Sequence, residues 1–325
     1  MRVLIVKLSS LGDVVHCMPV VHDILGAHPD AQIDWVVEPG FASLVRRVRG
    51  IAHVVPCALR RWSKSWWTRT TRQEWRAFRE ALQRERYDAV IDLQGLTKSA
   101  LIARVARLAP GGLRYGLANR TDGASHEPPA RWLVDRAIRI EPRTHALDRS
   151  RVLVSRALNY PLQGPPVFGL RGAGEPTVGA APTVVFVHGT SRDDKLWPEE
   201  RWIALGQRVI ARSWRIALPH AGEVELARAQ RLQSALGDAA EVWPPMNLDA
   251  LVDRMSATRG VIGVDSGLSH IAVALDLPHV QLYNFPTAWR TGPQTAHGHA
   301  HQESVQGEPM PGLDEVWAAW LRVSA

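Results

Sequence analysis

The chain has 325 residues, 46% of them hydrophobic and 22% charged, the composition of a globular protein with material for two ordinary cores. A formal charge of +7 implies an acidic partner, which nucleic acid, an anionic membrane surface or an anionic substrate could each provide. Two cysteines, Cys17 and Cys57, exclude a disulfide framework and a Cys-based zinc site, and no window approaches the roughly 20 apolar residues of a membrane helix.

Residues 2–8 read as a strand, followed by the turn Ser9-Ser10-Leu11-Gly12-Asp13 and by helical periodicity over 14–25. This start lacks the apolar length and cleavage site of a signal peptide, so a cytoplasmic protein is expected. The turn contains a glycine but not the G-x-G-x-x-G of a dinucleotide site. Asp13 either caps the new helix or faces the crevice at the carboxyl ends of the strands, where open α/β sheets bind ligands. A strand over 33–37, a short helix over 41–48 and a strand at 54–55 follow. The stretch Arg60-Arg61-Trp62-Ser63-Lys64-Ser65-Trp66-Trp67 has neither helical nor strand period and reads as a loop. Arginine forks suit carboxylate and phosphate oxygens, and tryptophan supplies amphipathic surface. The stretch is therefore either a solvated loop with anchoring tryptophans or a grip on an acidic, partly apolar acceptor.

A charged helix over 74–86 leads to a buried strand over 89–93, stopped by Gln94-Gly95. A helix over 97–108, a strand over 113–117, a polar loop over 119–129 and a helix over 145–158 complete the first half. Residues 163–182, rich in Pro and Gly, read as a linker. Strands then recur at 183–187, 214–218, near 242 and at 261–264, with 280–283 as the last, and helices at 199–212, 223–236, 248–255 and from 268. The final helix, 313–323, either closes the second domain or packs back on the first. Two successive βαβ arrays predict an α/β protein of two doubly wound, Rossmann-like domains, 1–162 and 183–325, facing each other across a cleft.

The second array ends three strands in polar turns: 188–195, 219–225 and Asp265-Ser266-Gly267-Leu268-Ser269-His270. Small polar residues that open a helix leave its first N–H groups free, and those groups and the helix dipole favour an anion. Three such turns on one sheet edge suggest a phosphate site. Asp193-Asp194 resembles a metal pair but is flanked by Arg192 and Lys195 and has no further hard ligand at a convincing spacing. The alternation His297, His299, His301 reads as a tail loop, and the G-x-S-x-G elbow of a serine hydrolase is absent. Basic residues are spread over helices and loops without a nucleic-acid-binding motif, so no nucleic-acid partner is expected.

Five segments carry a resemblance: Lys7-Leu-Ser-Ser-Leu-Gly-Asp13, Arg60-Arg-Trp-Ser-Lys64, Asp92-Leu-Gln-Gly-Leu96, Asp193-Asp-Lys-Leu-Trp-Pro198 and Val264-Asp-Ser-Gly-Leu-Ser-His270. In this order and spacing they resemble the lipopolysaccharide heptosyltransferases of glycosyltransferase family 9, and the Arg-Arg-Trp segment resembles the type I enzymes more than type II. The resemblance implies the GT-B architecture, with inverting transfer of L-glycero-D-manno-heptose from ADP-heptose to the first Kdo of Kdo-lipid A. No metal or other cofactor is implied. It further implies a peripheral position at the cytoplasmic face of the inner membrane, where the acceptor lies. Carried over by position, Asp13 is the general base. Lys7, Arg60, Arg61, Lys64, Gln94 and Gly95 would hold the acceptor. Thr190, Ser191 and Lys195 would hold the diphosphate, Glu225 a ribose or sugar hydroxyl, and Met246 the adenine. Asp265, Ser266, Gly267 and His270 would complete the donor site. Where the family has a G-P-T-D type turn after the last strand, read here as 280–283, this chain has Tyr283-Asn-Phe-Pro-Thr-Ala-Trp-Arg290, and Ser266 stands for a commoner Thr.

Overall fold

A computed structural model describes residues 1–175, 181–294, 297–298 and 300–325. The chain divides into two compact units, Met1–Leu170 and Arg171–Ala325. The division falls within the stretch expected as linker, part of which (176–180) lies outside the described residues, as does His299. The described parts of that stretch are not slack. Gly169 accepts a hydrogen bond from Arg49 in the first unit, and Ala173 and Gly174 donate to Asp253 and Ser256 in the second.

The first unit opens with β1 (Arg2–Val6), whose apolar run is buried on both faces, as a central parallel strand requires. The expected helix over 14–25 is two helices, α1 (Leu11–Cys17) and α2 (Pro19–Ala27). Pro19 has no N–H to continue the first ladder, while its fixed φ suits the first position of the second helix. Next come β2 (Gln32–Val37), α3 (Ala42–Arg46) and β3 (Ile51–Pro56). The expected loop over 60–67 begins instead as a helical turn, α4 (Leu59–Trp62), because Trp62 is drawn into an aromatic cluster. Its ring centroid lies 5.7 Å from that of Trp75 and 5.4 Å from that of Phe78, both on α5 (Arg69–Leu82). The unit continues through β4 (Arg86–Asp92), α6 (Thr97–Val105), β5 (Arg107–Leu117), β6 (Arg136–Ile138) and α7 (Ala146–Leu158). Strand β6 has no apolar pattern in sequence, which is why the periodicity misses it. All strands of the sheet are parallel in the order β3-β2-β1-β4-β5-β6.

The second unit repeats the plan with β7 (Thr183–Val187), α8 (Glu199–Ile210), β8 (Arg215–Leu218), α9 (Gly222–Leu236), β9 (Ala240–Val242) and α10 (Leu248–Ser256). Then follow β10 (Gly260–Val264), α11 (Gly267–Ala274), β11 (His279–Tyr283), α12 (Ala288–Thr291), β12 (Gln302–Gln306) and α13 (Leu313–Val323). The sheet order is β12-β11-β10-β7-β8-β9, again all parallel. Strand β11 is therefore not the last. The sequence Gln-Glu-Ser-Val-Gln of β12 carries no apolar alternation, and its pairing with β11 comes from tertiary context. Helix α13 closes this unit's own core, with Val316, Ala319 and Trp320 fully buried beside Phe186, Trp197 and Trp202.

Counted within each unit, both sheets have the order 3-2-1-4-5-6 of the doubly wound fold. The direction in which successive strands are added reverses at one point in each, between β1 and β4 and between β7 and β10. Crossover connections leave a crevice outside the carboxyl ends of those two pairs, and ligands bind there in open α/β sheets.

Candidate active site

In the first unit the segments after β1 and β4 meet at the switch point. Ser10, at the N-cap of α1, gives Asp13 two hydrogen bonds: its N–H lies 3.1 Å and its hydroxyl 2.8 Å from Asp13 Oδ2. Lys7 is 3% exposed, donates to the Leu93 carbonyl at 3.3 Å, and holds its Nζ 4.0 Å from Asp13 Oδ1. Burial opposes ionisation of Asp13, but the Lys7 ammonium and the Ser10 donors outweigh it and hold the carboxyl well below the ordinary range. Asp13 is thus an acceptor-only anion, able to take a hydrogen bond from a bound hydroxyl.

Gln94 clamps the two segments together, its Oε1 accepting from Leu8 N at 3.1 Å and Ser9 N at 3.2 Å. The Gln94-Gly95 turn is built on Asp92, a buried carboxylate that accepts from Gln94 N (2.9 Å), Gly95 N (3.4 Å) and Ser99 Oγ (3.0 Å). Gly95 has φ +74°, a left-handed conformation that side chains resist. Its carbonyl also receives Glu127 N, tying down the loop over 119–129. Lys7, Asp13, Gln94 and Arg149 line a polar pocket of about 80 Å³ against that loop. Gly123, Ala124 and Ser125 of that loop also line a second cavity, of about 560 Å³, with Leu96, Arg120 and Glu127.

The structure brings Lys7, Asp13, Gln94 and Gly95 together, and Arg60 joins them through a 2.9 Å hydrogen bond to Ser9 Oγ. Arg61 behaves differently. It forms a two-pronged pair with Glu74 at 3.0 and 2.7 Å, and Glu74 also accepts from Trp62 Nε1, so Arg61 fastens α4 to α5. Lys64 is exposed beyond it. Reasoning from motifs missed Arg149, because it lies on α7 far along the chain and reaches the site only through folding. Asp92 was part of a matched segment but had no role assigned.

In the second unit Asp265 follows β10 and is 5% exposed. Its Oδ2 accepts from Lys195 Nζ at 2.6 Å, and its Oδ1 lies 3.4 Å from His270 Nε2 and 3.4 Å from Gln281 Nε2. Burial pushes this carboxyl up, and His270 and Lys195 overcome that to hold it below its usual value. Thr190 Oγ1 donates to the Asp265 carbonyl at 3.1 Å, joining the turn after β7 to the turn after β10. Ser266 is the N-cap of α11 yet makes no capping bond, and its buried hydroxyl has no hydrogen-bond partner among the described residues. The first N–H groups of α11 are therefore uncapped by a side chain and available to an anion. Ser191 is exposed on the same turn as Thr190, and Gly267 begins α11.

Glu225, on the first turn of α9, accepts from Ala221 N at 2.6 Å. It lies so close to Gly189 that a Cβ there would stand 2.4 Å from its carboxyl carbon. Met246 is half-buried in the segment after β9, on the same sheet edge. The divergent turn after β11 supports this edge from another side: Asn284 Nδ2 donates to the carbonyls of Asp194 (3.0 Å) and Leu196 (2.9 Å), bracing the turn that carries Lys195. Gln281 was not anticipated, since it belongs to no motif, and Asn284 lies in the divergent turn Tyr283–Arg290, to which no site residue was assigned.

A family model for glycosyltransferase family 9 (heptosyltransferase) matches residues 75–311. Lipopolysaccharide heptosyltransferase 1 of Escherichia coli K12 is 39% identical over 316 residues, covering 96% of this chain and 95% of that protein. Lipopolysaccharide heptosyltransferase 2 of Salmonella typhimurium is 24% identical over 307 residues, covering 87% of this chain and 82% of that protein. A solved structure of E. coli heptosyltransferase WaaC with ADP superposes with a TM-score of 0.87 at 35% identity over the whole of both chains. The same enzyme with ADP-2-deoxy-2-fluoro heptose gives 0.81 at 36% over 97% of this chain and 96% of that one. With the Rossmann-like plan found twice and relatives matched over nearly their full length, the chain belongs to glycosyltransferase family 9, the heptosyltransferases.

Proposed function

We propose that this family 9 glycosyltransferase moves L-glycero-D-manno-heptose from ADP-heptose to the first Kdo of Kdo-lipid A, with inversion at the transferred carbon. Heptose transfer in lipopolysaccharide core synthesis is the activity it shares with relatives named heptosyltransferase 1; 39% identity to the E. coli K12 enzyme of that name, against 24% to the Salmonella typhimurium heptosyltransferase 2, favours the first Kdo as acceptor. The observation that carries the mechanism is a division of charge. One switch point holds an ionised carboxylate, Asp13, among cationic side chains; the other offers Lys195, the Ser266 hydroxyl and the uncapped end of α11.

The first unit takes the acceptor. Asp13 receives the proton of the attacking Kdo hydroxyl as the new glycosidic bond forms, a role worth on the order of 10²–10⁴-fold in rate. A carboxyl held low is a weak base in the free protein. An acceptor carboxylate drawn to Lys7, Arg149 or Arg60 would offset their positive charge and raise the basicity of Asp13 when substrate is present. Arg61 and Lys64 serve the acceptor from farther out, Arg61 while it remains paired with Glu74. The second unit takes the donor. As the bond from the anomeric carbon to the β-phosphate oxygen breaks, ADP leaves with the electron pair, and Lys195, Thr190, Ser191, Ser266 and the Gly267 end of α11 receive its charge. Asp265 and His270 orient Lys195, Glu225 binds a hydroxyl, and Met246 flanks the base. These donors supply the positive charge that a metal would otherwise bring, so transfer proceeds in chelator.

Among the described residues no helix is long and apolar enough to cross a membrane. The proposed location is cytoplasmic, peripheral to the inner membrane that holds the acceptor. The test is ADP release from ADP-heptose in EDTA, with and without Kdo-lipid A. Acceptor-dependent release supports the proposal. Binding of ADP-heptose without release means a different acceptor, and no binding of ADP-heptose removes the donor assignment.

A further inference from the structure

The tryptophans of the first unit divide by environment. Trp35 is fully buried and Trp62 nearly so, whereas Trp66 and Trp67 are 68% and 59% exposed on consecutive positions, their rings edge to face at 6.2 Å. Exposing two adjacent indoles to water is unfavourable for an isolated protein, and a pair of this size marks an interaction surface. Trp66 also lines a groove of about 330 Å³ with Leu59, Trp62, Thr71, Arg72 and Trp75, mostly carbon.

The border of the groove is cationic. Between residues 60 and 80 the chain carries seven Arg and Lys against two Glu. On α5, Arg69, Arg72, Arg76 and Arg79 are all exposed and recur at spacings of three and four, so they form one stripe along the helix. Thr71, Trp75, Phe78 and Leu82 form the adjacent inward stripe. Amphipathic aromatic side chains beside a row of Arg match the headgroup layer of an anionic bilayer, where Trp sits at the boundary and Arg meets lipid phosphate. A protein partner would supply acidic side chains but no reason for a carbon-lined groove opening beside two bare indoles.

We infer that Trp66, Trp67 and the Arg69–Arg72–Arg76 stripe of α5 dock the protein on an anionic phospholipid surface, independently of acceptor recognition. The inference rests on the reading of a membrane-held acceptor and names the face that approaches it. Arg61, tied to Glu74, and Trp62, tied into the core, anchor this face to the domain.

The experiment is cosedimentation of the full chain with vesicles of phosphatidylethanolamine and phosphatidylglycerol, and with vesicles of phosphatidylcholine alone, none containing Kdo-lipid A. The wild type should bind the anionic vesicles, lose them at high salt, and leave the neutral ones in solution. Trp66→Ser with Trp67→Ser should weaken binding by roughly tenfold per indole withdrawn. Arg72→Gln and Arg76→Gln should each weaken it about fivefold at low salt. The tryptophan variant should retain the wild-type thermal melt and the wild-type turnover on a water-soluble, deacylated Kdo acceptor. Wild-type binding that requires Kdo-lipid A in the vesicle would mean that the groove holds the acceptor's own acyl chain, and would overturn the inference. Unaltered vesicle binding by the tryptophan variant would overturn it equally. If the wild type docks on anionic vesicles but turns over no Kdo acceptor, the acceptor assignment fails and the docking surface stands.

Discussion

Asp92 is a carboxylate in a fully buried position, and replacing it with Asn isolates what that burial costs. Desolvation pushes its carboxyl up to about 6, against the opposing pull of the Gln94 and Gly95 N–H groups, the Ser99 hydroxyl and Lys7. An unfolded Asp titrates near 3.9. Between those values the folded chain binds the proton more strongly, so stability is highest below about pH 4 and falls as pH rises toward 6. A difference of about two pH units corresponds to about 3 kcal/mol, lost in full at neutral pH. Asn at this position keeps an oxygen for Gln94 N, and its amide can donate to Ser99 Oγ once that hydroxyl turns its proton from residue 92 to Leu96 O, 2.8 Å away. Asp92→Asn should therefore stabilise the first unit by about 2–3 kcal/mol at neutral pH, with the gain vanishing toward pH 4. The assay is urea unfolding at fixed pH values across that window, with hydrogen exchange of the β4 amides assigning the transition to the first unit. A variant less stable than wild type at neutral pH, by an amount that does not change with pH, would show that the turn needs the charge and would refute the desolvation argument.

Three further outcomes are expected. Asp13→Asn should lower kcat by roughly 10²–10⁴-fold while calorimetry finds donor binding unchanged, and wild-type kcat/KM should show no acid limb from Asp13 above about pH 4, because its carboxyl is held low in the free protein. Gly189→Ala places a methyl 2.4 Å from the Glu225 carboxyl carbon, so Glu225 must swing away; the KM for ADP-heptose should rise severalfold with a smaller change in kcat, and an unchanged KM would remove Glu225 from the donor site. His188 and His279 are both held down at about 4, by burial first in each case, so the unfolded chain takes up protons between about pH 6.5 and 4 that the folded second unit refuses. Acidification through that window should melt the second unit before the first, where Asp92 works in the opposite direction. Separate transitions in differential scanning calorimetry at pH 7 and pH 5 would reveal the order.

The sheets pair differently with their sequences in ways that have physical causes. Central strands such as β1, β4, β7 and β10 are apolar on both faces, and a run of that kind has no stable place except a parallel sheet covered by helices, so their existence and order of appearance were legible. Helices α7, α10 and α13 were legible from period and caps to within a residue or two at their ends. The edge strands β6 and β12 were not. An edge strand is selected by the neighbour it joins, and Gln302–Gln306 has no pattern until β11 is beside it.

The candidate site divides along the same line. Local sequence by itself placed Asp13, Lys195 and the Ser266–His270 turn where a strand hands over to a helix or a turn, a position whose chemistry depends on neighbours a few residues away, while Gly95 entered only through the family resemblance. Tertiary structure decided what depends on distance across the chain: Lys7 tied to the Leu93 carbonyl, Gln94 clamped to Leu8 and Ser9, Arg149 arriving from α7, and Asn284 bracing the Lys195 turn. It also assigned Arg61 to Glu74 and left Trp66 and Trp67 outside the core that took Trp62. The reason is that a side chain's charge state and partners follow from burial and from atoms a few ångströms away, and here some of those atoms belong to distant segments, from 13 positions between Arg61 and Glu74 to 90 between Asn284 and Asp194.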